Sequence, residues 1–481
     1  MSFKRELGLF DATMIVAGSM IGSGVFIVSA DIARMVGSPG MLLLVWLLTG
    51  VLTLIAALSY GELAGLLPHA GGQYVYLREA FGPLAGFLYG WTLFTVIQTG
   101  TIAAVAMAFA KYTSAILPGV GEAHALFAVG GFSVNAAQAL AIASILVLTF
   151  INSRGVSLGK LIQNAFTSTK IISVVALAAA GIIYGLSNGS LAAAIDSLWI
   201  DGVTPHVADL SAAQQESYGF ASRIGMPLLA VIAVSMVGSV FSSDAWNNIT
   251  FASAEVKNPE RTIPRALVIG VSLVTLLYML TNLSYIAIMP IGGSPDSSLA
   301  LERGIAFATN DRVGAAAADV MFGASGAVIM AVLIMISTFG CNNGIILSGS
   351  RAYYAMANDG MFFKQAATLN KNGAPAASLW MQAAWASVLC LSGKYGDLLD
   401  YVVFAVLIFY VLTILGIFRL RSTRPDAPRP IKAVGYPFLP SLYIVLALAI
   451  CICLLIYKPN YSWPGLVIVA SGVPVYALWR R

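Results

Sequence analysis

Charge is scarce in this chain: of 481 residues only 10% are Asp, Glu, Lys or Arg, against 59% hydrophobic, and mean hydropathy is +0.86. Scarcity on that scale excludes a large solvated domain and marks an integral membrane protein. Histidine occurs at three positions, His69, His124 and His206, which fall in or near connecting segments and form no cluster, so metal chemistry has no support. Cysteine is almost as rare. Cys341, Cys390, Cys451 and Cys453 all lie inside apolar stretches, which implies neither a structural disulfide nor a covalent link to a partner subunit. Cys451-Ile452-Cys453 lacks the spacing of a metal or redox pair and reads as small-residue packing. A membrane-embedded enzyme would need a nucleophile with a base, and neither histidines nor paired carboxylates are placed to serve. A cleavable leader is not expected either, because the first apolar run follows a nine-residue polar start and continues to a full span.

What the chain has in abundance is apolar stretches long enough to cross about 30 Å of hydrocarbon. Twelve are expected, near 10–36, 40–66, 84–117, 134–152, 157–186, 226–254, 265–289, 320–357, 378–393, 398–420, 437–457 and 463–479. With that alternation, 18 Lys and Arg residues fall on the side of the N-terminus and 7 on the other, with Lys170 inside a span. Basic residues accumulate in short cytoplasmic loops, so both termini are expected in the cytoplasm and the protein in the cell membrane. The net charge of +5 then follows from topology and calls for no nucleic acid. Spans one to five (1–187) and six to ten (224–420) read as two halves of one transporter domain, with spans eleven and twelve (437–481) peripheral. An odd number of spans per half forces an inverted repeat with its site at the midplane.

Two spans are interrupted. The first holds Ile21-Gly22-Ser23-Gly24-Val25-Phe26, and the sixth holds Phe241-Ser242-Ser243-Asp244-Ala245-Trp246-Asn247-Asn248. Irregular backbone survives in hydrocarbon only inside protein or beside a polar cavity, and paired interruptions in two halves point to a transporter's substrate site. After Gly22-Ser23-Gly24 a restarted helix offers unpaired N–H groups and partial positive charge, which suit a carboxylate. The first half of the sixth span ends near Phe241 with unpaired carbonyls, which suit an ammonium. Together they would hold a zwitterion such as an α-amino acid headgroup. The other reading of the glycines is close helix packing. A channel would show a continuous polar face on several spans, whereas polarity here concentrates at the two breaks.

Gly18-Ser19-Met20-Ile21-Gly22-Ser23-Gly24-Val25-Phe26, Tyr60-Gly61-Glu62-Leu63 through Gly71-Gly72-Gln73-Tyr74-Val75-Tyr76, Phe241 to Asn247, and Glu255-Val256-Lys257-Asn258-Pro259-Glu260-Arg261-Thr262-Ile263-Pro264 resemble signatures of the amino acid/polyamine/organocation superfamily. Within it the chain is most similar to the L-type amino acid transporter branch and its bacterial relatives. The resemblance implies an all-α integral membrane, LeuT-type 5+5 inverted repeat of 12 transmembrane helices, with helices 1 and 6 unwound at mid-membrane. It also implies that the break of the first span holds the substrate carboxylate and that of the sixth the amine. The substrate-contact candidates are Ile21, Gly22, Ser23, Gly24, Val25, Phe241, Ser242, Ser243, Asp244, Trp246 and Asn343.

Phe241 matches an aromatic that covers the occupied site from outside in similar transporters; an ordinary packing role is the other reading. Lys170 lies about 14 residues into its span, roughly 20 Å deep at 1.5 Å per residue, where an ionisable group is functional by default. Transporters that resemble this one carry a lysine where sodium-coupled relatives of the fold hold an ion. Such an ammonium would bridge spans one and five to the eighth, with Ser337 and Thr338 as partners. Alternatively, burial disfavours the charged form and would let Lys170 load and release a proton. Asp244 departs from the small residue usual in the branch. Either it attracts a cationic substrate side chain or the amine, or it caps the second half of the sixth helix. Asn343 either lines the pocket or joins helices.

The segment from Glu62 to Arg78 is expected to be a cytoplasmic interfacial element with its aromatics at the membrane surface. The stretch from about Leu186 to Arg223 is an external loop, and Arg419 to Gly435 a cytoplasmic linker setting the last two spans apart. The functional expectation is a secondary transporter of α-amino acids, without cofactor, working by sodium-independent exchange or by proton symport. The loop 118–133 lacks the cysteine that subunit-linked relatives carry, so no disulfide-linked ancillary subunit is expected.

Overall fold

A computed structural model describes residues 5–129, 132–207, 210–220, 225–392 and 395–479. Among the basic residues used for orientation, Lys4, Arg223, Lys394, Arg480 and Arg481 lie outside the described residues. The chain is built of helices α1 (Leu9–Met20), α2 (Gly24–Val36), α3 (Pro39–Leu66), α4 (Gln73–Phe81), α5 (Pro83–Ile116), α6 (Ala136–Ser153), α7 (Val156–Asn188), α8 (Leu228–Ser242), α9 (Pro259–Ile288), α10 (Val313–Asn358), α11 (Ala376–Ser392), α12 (Tyr395–Thr423), α13 (Phe438–Tyr457) and α14 (Pro459–Trp479). Two short antiparallel strands, β1 (Ala125–Val129) and β2 (Phe132–Asn135), precede α6.

Local chemistry sets these boundaries. Ser38 accepts from the Met41 amide ahead of Pro39 at the first turn of α3, and Asn135 and Gln138 cap α6 reciprocally. α2 stops at Gly37, whose φ of 78° is left-handed. Among the described residues nine helices are long and apolar enough to cross a membrane, and α1 with α2, bent by 41° across Ile21-Gly22-Ser23, meets the same criterion when the pair is taken as one span. The shorter apolar helices α8 and Ala376–Leu391 fall where the sixth and ninth spans were expected. α5 carries one π turn, Leu93–Ile97, in its middle.

Three expectations change. After α8 the chain does not restart as an α-helix: it runs through Ala245 at φ 64° into 3₁₀ turns at Trp246–Thr250 and Ser253–Glu255. The cause is local competition for the backbone, since the Thr250 hydroxyl donates to the Asn247 carbonyl (2.7 Å) and Ser253 to that of Thr250 (2.5 Å). Tyr74 and Tyr76 of α4 do not face a membrane surface but are buried, Tyr74 donating to Asp359 and Tyr76 packing edge-on against Tyr60. Last, the 419–435 linker does not stand apart. Glu62 at the end of α3 takes Arg421 at 2.6 Å, Arg429 at 3.2 Å and the Ala433 amide at 2.7 Å, which fastens the linker beneath α3. Beside it Arg424 reaches Glu79 of α4 at 2.6 Å; burial by itself raises the Glu79 carboxyl, but Arg424 and Arg78 hold it below the usual carboxylate range.

The same end of the bundle contains an ion pair shut off from solvent. Arg351 of α10 donates to Glu255 at 3.0 Å, both side chains being 1% exposed, while the Glu6 and Leu7 amides both reach the Glu255 carbonyl at 2.9 Å. Arg351→Met leaves a buried carboxylate without its partner. We expect a loss of about 3–5 kcal/mol, read as a lowered unfolding midpoint of the purified protein, and partial recovery when Glu255→Gln is added.

Candidate functional site

Breaking a helix frees four carbonyls at one end and four amides at the other. At the end of α1 the carbonyls are accounted for by side chains from three other helices. Lys170 of α7, fully buried, donates to Gly18 at 2.6 Å and to Ile21 at 2.9 Å. Cys341 of α10 lies 3.0 Å from the Ser19 carbonyl, and Ser337 of α10 reaches those of Ile21 (3.3 Å) and Gly22 (3.2 Å). The hydroxyl of Tyr278, on α9, is 2.9 Å from the Met20 carbonyl and also 2.9 Å from that of Ser242, the last residue of α8.

The two breaks therefore touch. A Cβ on Gly24 would lie 1.9 Å from the Ser242 hydroxyl oxygen and 3.0 Å from its Cα, and one on Gly22 would meet Cys341 Sγ at 3.1 Å. Close approach requires glycine at position 24, and at 22 it leaves a side chain little room beside Cys341. Gly24 is brought against Ser242, and Ile21, Gly22, Ser23 and Val25 beside it are buried as well. At the end of α8 the carbonyl of Phe241 accepts from the Asp244 amide at 3.1 Å and that of Val240 from Ser243 at 3.2 Å, so these groups are not unpaired as the sequence led us to expect. A carbonyl has two lone pairs, and each can still take a further donor.

Asp244 is buried at the turn, where Tyr410 of α12 donates to its carboxylate at 2.5 Å. The residue heading the following 3₁₀ turn is Ala245, and no side chain caps it. Trp246 packs against Tyr60 (ring centroids 4.8 Å apart) and Tyr410 (5.4 Å). Asn247 donates to Gln73 at 2.8 Å, tying the turn to α4. Asn343 accepts from Asn152 of α6 at 2.9 Å and donates to Gln163 of α7 at 3.2 Å, joining three helices, and Gln163 packs against Gly18 of α1. Thr338 turns its hydroxyl onto Ile334 and Met335 of its own helix and is no partner of Lys170, whereas Ser337 shares the Ile21 carbonyl with it. Reading the sequence missed Tyr278 and Tyr410. Their signal is a single tyrosine in an otherwise apolar run, where a buried phenol needs an acceptor. Among the described residues, no three His, Cys, Asp or Glu side chains gather as a metal site.

The family model described as amino acid permease matches residues 7–478. This chain belongs to the amino acid permease family. Membership makes it an amino acid transporter and not an enzyme. The permease is 28% identical to the b(0,+)-type amino acid transporter 1 of Mus musculus over 480 residues, 99% of this chain and 88% of the mouse protein. It is 29% identical over 478 residues to the large neutral amino acids transporter small subunit 2 of the same animal, 99% of this chain and 81% of that one. The L-type likeness of the sequence thus holds along nearly the whole permease.

Two voids flank the turn at Asp244, one bordered by Gln73, Gln98 and Asn248 and the other by Thr53, Trp246 and Tyr443. Each measures about 10 Å³, room for one water. The permease is closed around Asp244 in this conformation. The contact between Gly24 and Ser242 yields a test. Gly24→Ala should abolish amino acid uptake while the protein still reaches the membrane, and Ser242→Gly added to it should restore part of the uptake. Rescue assigns Gly24 to close packing, and no rescue assigns it to contact with substrate.

Proposed function

We propose that this permease exchanges α-amino acids across the cell membrane by alternating access, without sodium, with both termini in the cytoplasm. The observation that carries the reading is the meeting of two broken helices at Tyr278, with first-turn amides of α2 on one side and the Asp244 turn on the other. In this reading the amides near Gly22, Ser23 and Gly24 receive the substrate carboxylate. The carbonyls near Phe241, Ser242 and Ser243 receive the amine, and Ile21, Val25 and Trp246 shape the walls. Phe241 is the lid above the guest. Asn343 acts at a distance, by holding α10 to α6 and α7.

Lys170 takes the place of a coupling ion. Its ammonium rests between two carbonyls of the α1 break, as a sodium ion would, and serves as a standing donor. The proposed architecture is twelve spans in two inverted halves, 1–187 and 224–420, with α13 and α14 peripheral. α1–α2 and α8 with its 3₁₀ extension are then the unwound first and sixth spans. The bundle of spans one, two, six and seven rocks against the rest. One relative is named a small subunit. A partner of this permease would be held without a disulfide at 118–133, where the chain has no cysteine.

Liposomes containing the purified permease test the mechanism. Uptake of labelled amino acid that requires unlabelled amino acid inside, and ignores a pH gradient, is the expected result; uptake into empty liposomes driven by that gradient would overturn exchange. For Asp244, whose carboxylate is held by neutral donors, the Tyr410 hydroxyl and the Ala245 amide, Asp244→Asn should weaken cationic amino acids tenfold or more relative to neutral ones. Equal loss for both classes would leave Asp244 a purely structural role.

A further inference from the structure

A larger cavity of about 190 Å³ opens on another face of α5 from the void at Asp244, between α5, α11, the end of α10 and the end of α14. Its walls are rings: Phe87, Trp91, Phe94, Phe363, Trp385 and Trp479, closed by methionines. Phe363 meets Trp479 at 5.0 Å and Phe87 meets Trp479 at 6.4 Å. Three of the polar groups of the wall are already engaged. Trp91 donates to Ser471 (3.1 Å), Trp385 to the Thr95 carbonyl (2.9 Å) and Thr95 to the Trp91 carbonyl (2.8 Å). Among the described residues no charged side chain lines the wall, so burying an amino acid headgroup there would be costly. A hydrocarbon guest fits.

Charge identifies what the hydrocarbon belongs to. Phe363 and Trp385 are exposed, so the cavity reaches the outer surface of the bundle. Phe363 is followed by the exposed Lys364, and Trp479 is followed in the sequence by Arg480 and Arg481. The start of α5, the end of α10 and the end of α14 lie on one side of the membrane, the cytoplasmic side if the topology proposed above holds. Basic residues beside a pocket between spans on that side attract anionic lipid headgroups, and aromatic rings at the same level anchor in the interface. We propose that this cavity binds one acyl chain of an anionic phospholipid from the cytoplasmic leaflet, with its phosphate on Lys364. This site is separate from the substrate site; only the leaflet rests on the functional reading.

The test is native mass spectrometry of the full-length protein in detergent, titrated with phosphatidylglycerol or with phosphatidylethanolamine of the same chains. Wild type should retain one phosphatidylglycerol at least tenfold more tightly than Thr95→Phe, which fills the cavity from α5, or Met361→Trp, which fills it from the opposite wall. Lys364→Gln should keep a lipid adduct but lose the preference for phosphatidylglycerol. Unfolding midpoints of the variants close to wild type rule out misfolding as the cause of lost adducts. Equal adducts in wild type and both filled variants, or no preference between the two lipids in wild type, would overturn the proposal. A permease that exchanges amino acids yet shows neither effect overturns the lipid site and leaves the transport reading intact.

Discussion

In a hydrocarbon surround, a peptide carbonyl without a donor is among the costliest things a protein can contain. The end of α1 frees a cluster of them, and the rest of the core is arranged to supply what they lack. Lys170, Tyr278, Ser337 and Cys341 arrive from α7, α9 and α10, and each spends its polar atom on the backbone between Gly18 and Gly22. That requirement explains why a lysine is tolerated with no exposure at all, and why a serine and a cysteine sit one turn apart on the facing side of α10. The break therefore selects its neighbours: three helices are drawn to one point by unpaired backbone.

Much of this was legible in the residues. Gly22-Ser23-Gly24 announced a stop in an otherwise uniform apolar run, and Lys170 announced a buried partner, because neither belongs in hydrocarbon without a reason. The polar run from Ser243 to Asn248 located the second interruption to within a few residues. What the sequence did not carry was which acceptor each donor would find. Thr338 and Ser337 are adjacent and chemically alike, yet one bonds its own helix and the other the neighbouring break, a matter of helical phase settled by packing. Asn343 could not be assigned for the same reason: its partners Asn152 and Gln163 come from helices distant in sequence.

The form of the second break was also beyond sequence periodicity. Apolar residues Ile249, Phe251 and Ala252 continue after Asn248, and their pattern fits a resumed helix. Hydroxyls three residues apart instead bond back to the chain and tighten it into 3₁₀ turns. The linker before α13 shows a related failure. Its prolines and arginines read as a cytoplasmic linker setting the last two spans apart, but Arg429 is drawn to the carboxylate of Glu62 and lies largely buried against it. Ion pairs between segments hundreds of residues apart leave no trace in local composition.

One geometric coincidence has a further implication. A phenol has a single hydrogen, and the Tyr278 oxygen stands equally far from two carbonyls, one on each interrupted helix. At any instant its proton is given to one of them. The two interrupted helices are thus coupled through a single proton, and a guest bearing hydrogens on nitrogen would meet both carbonyls at the same point.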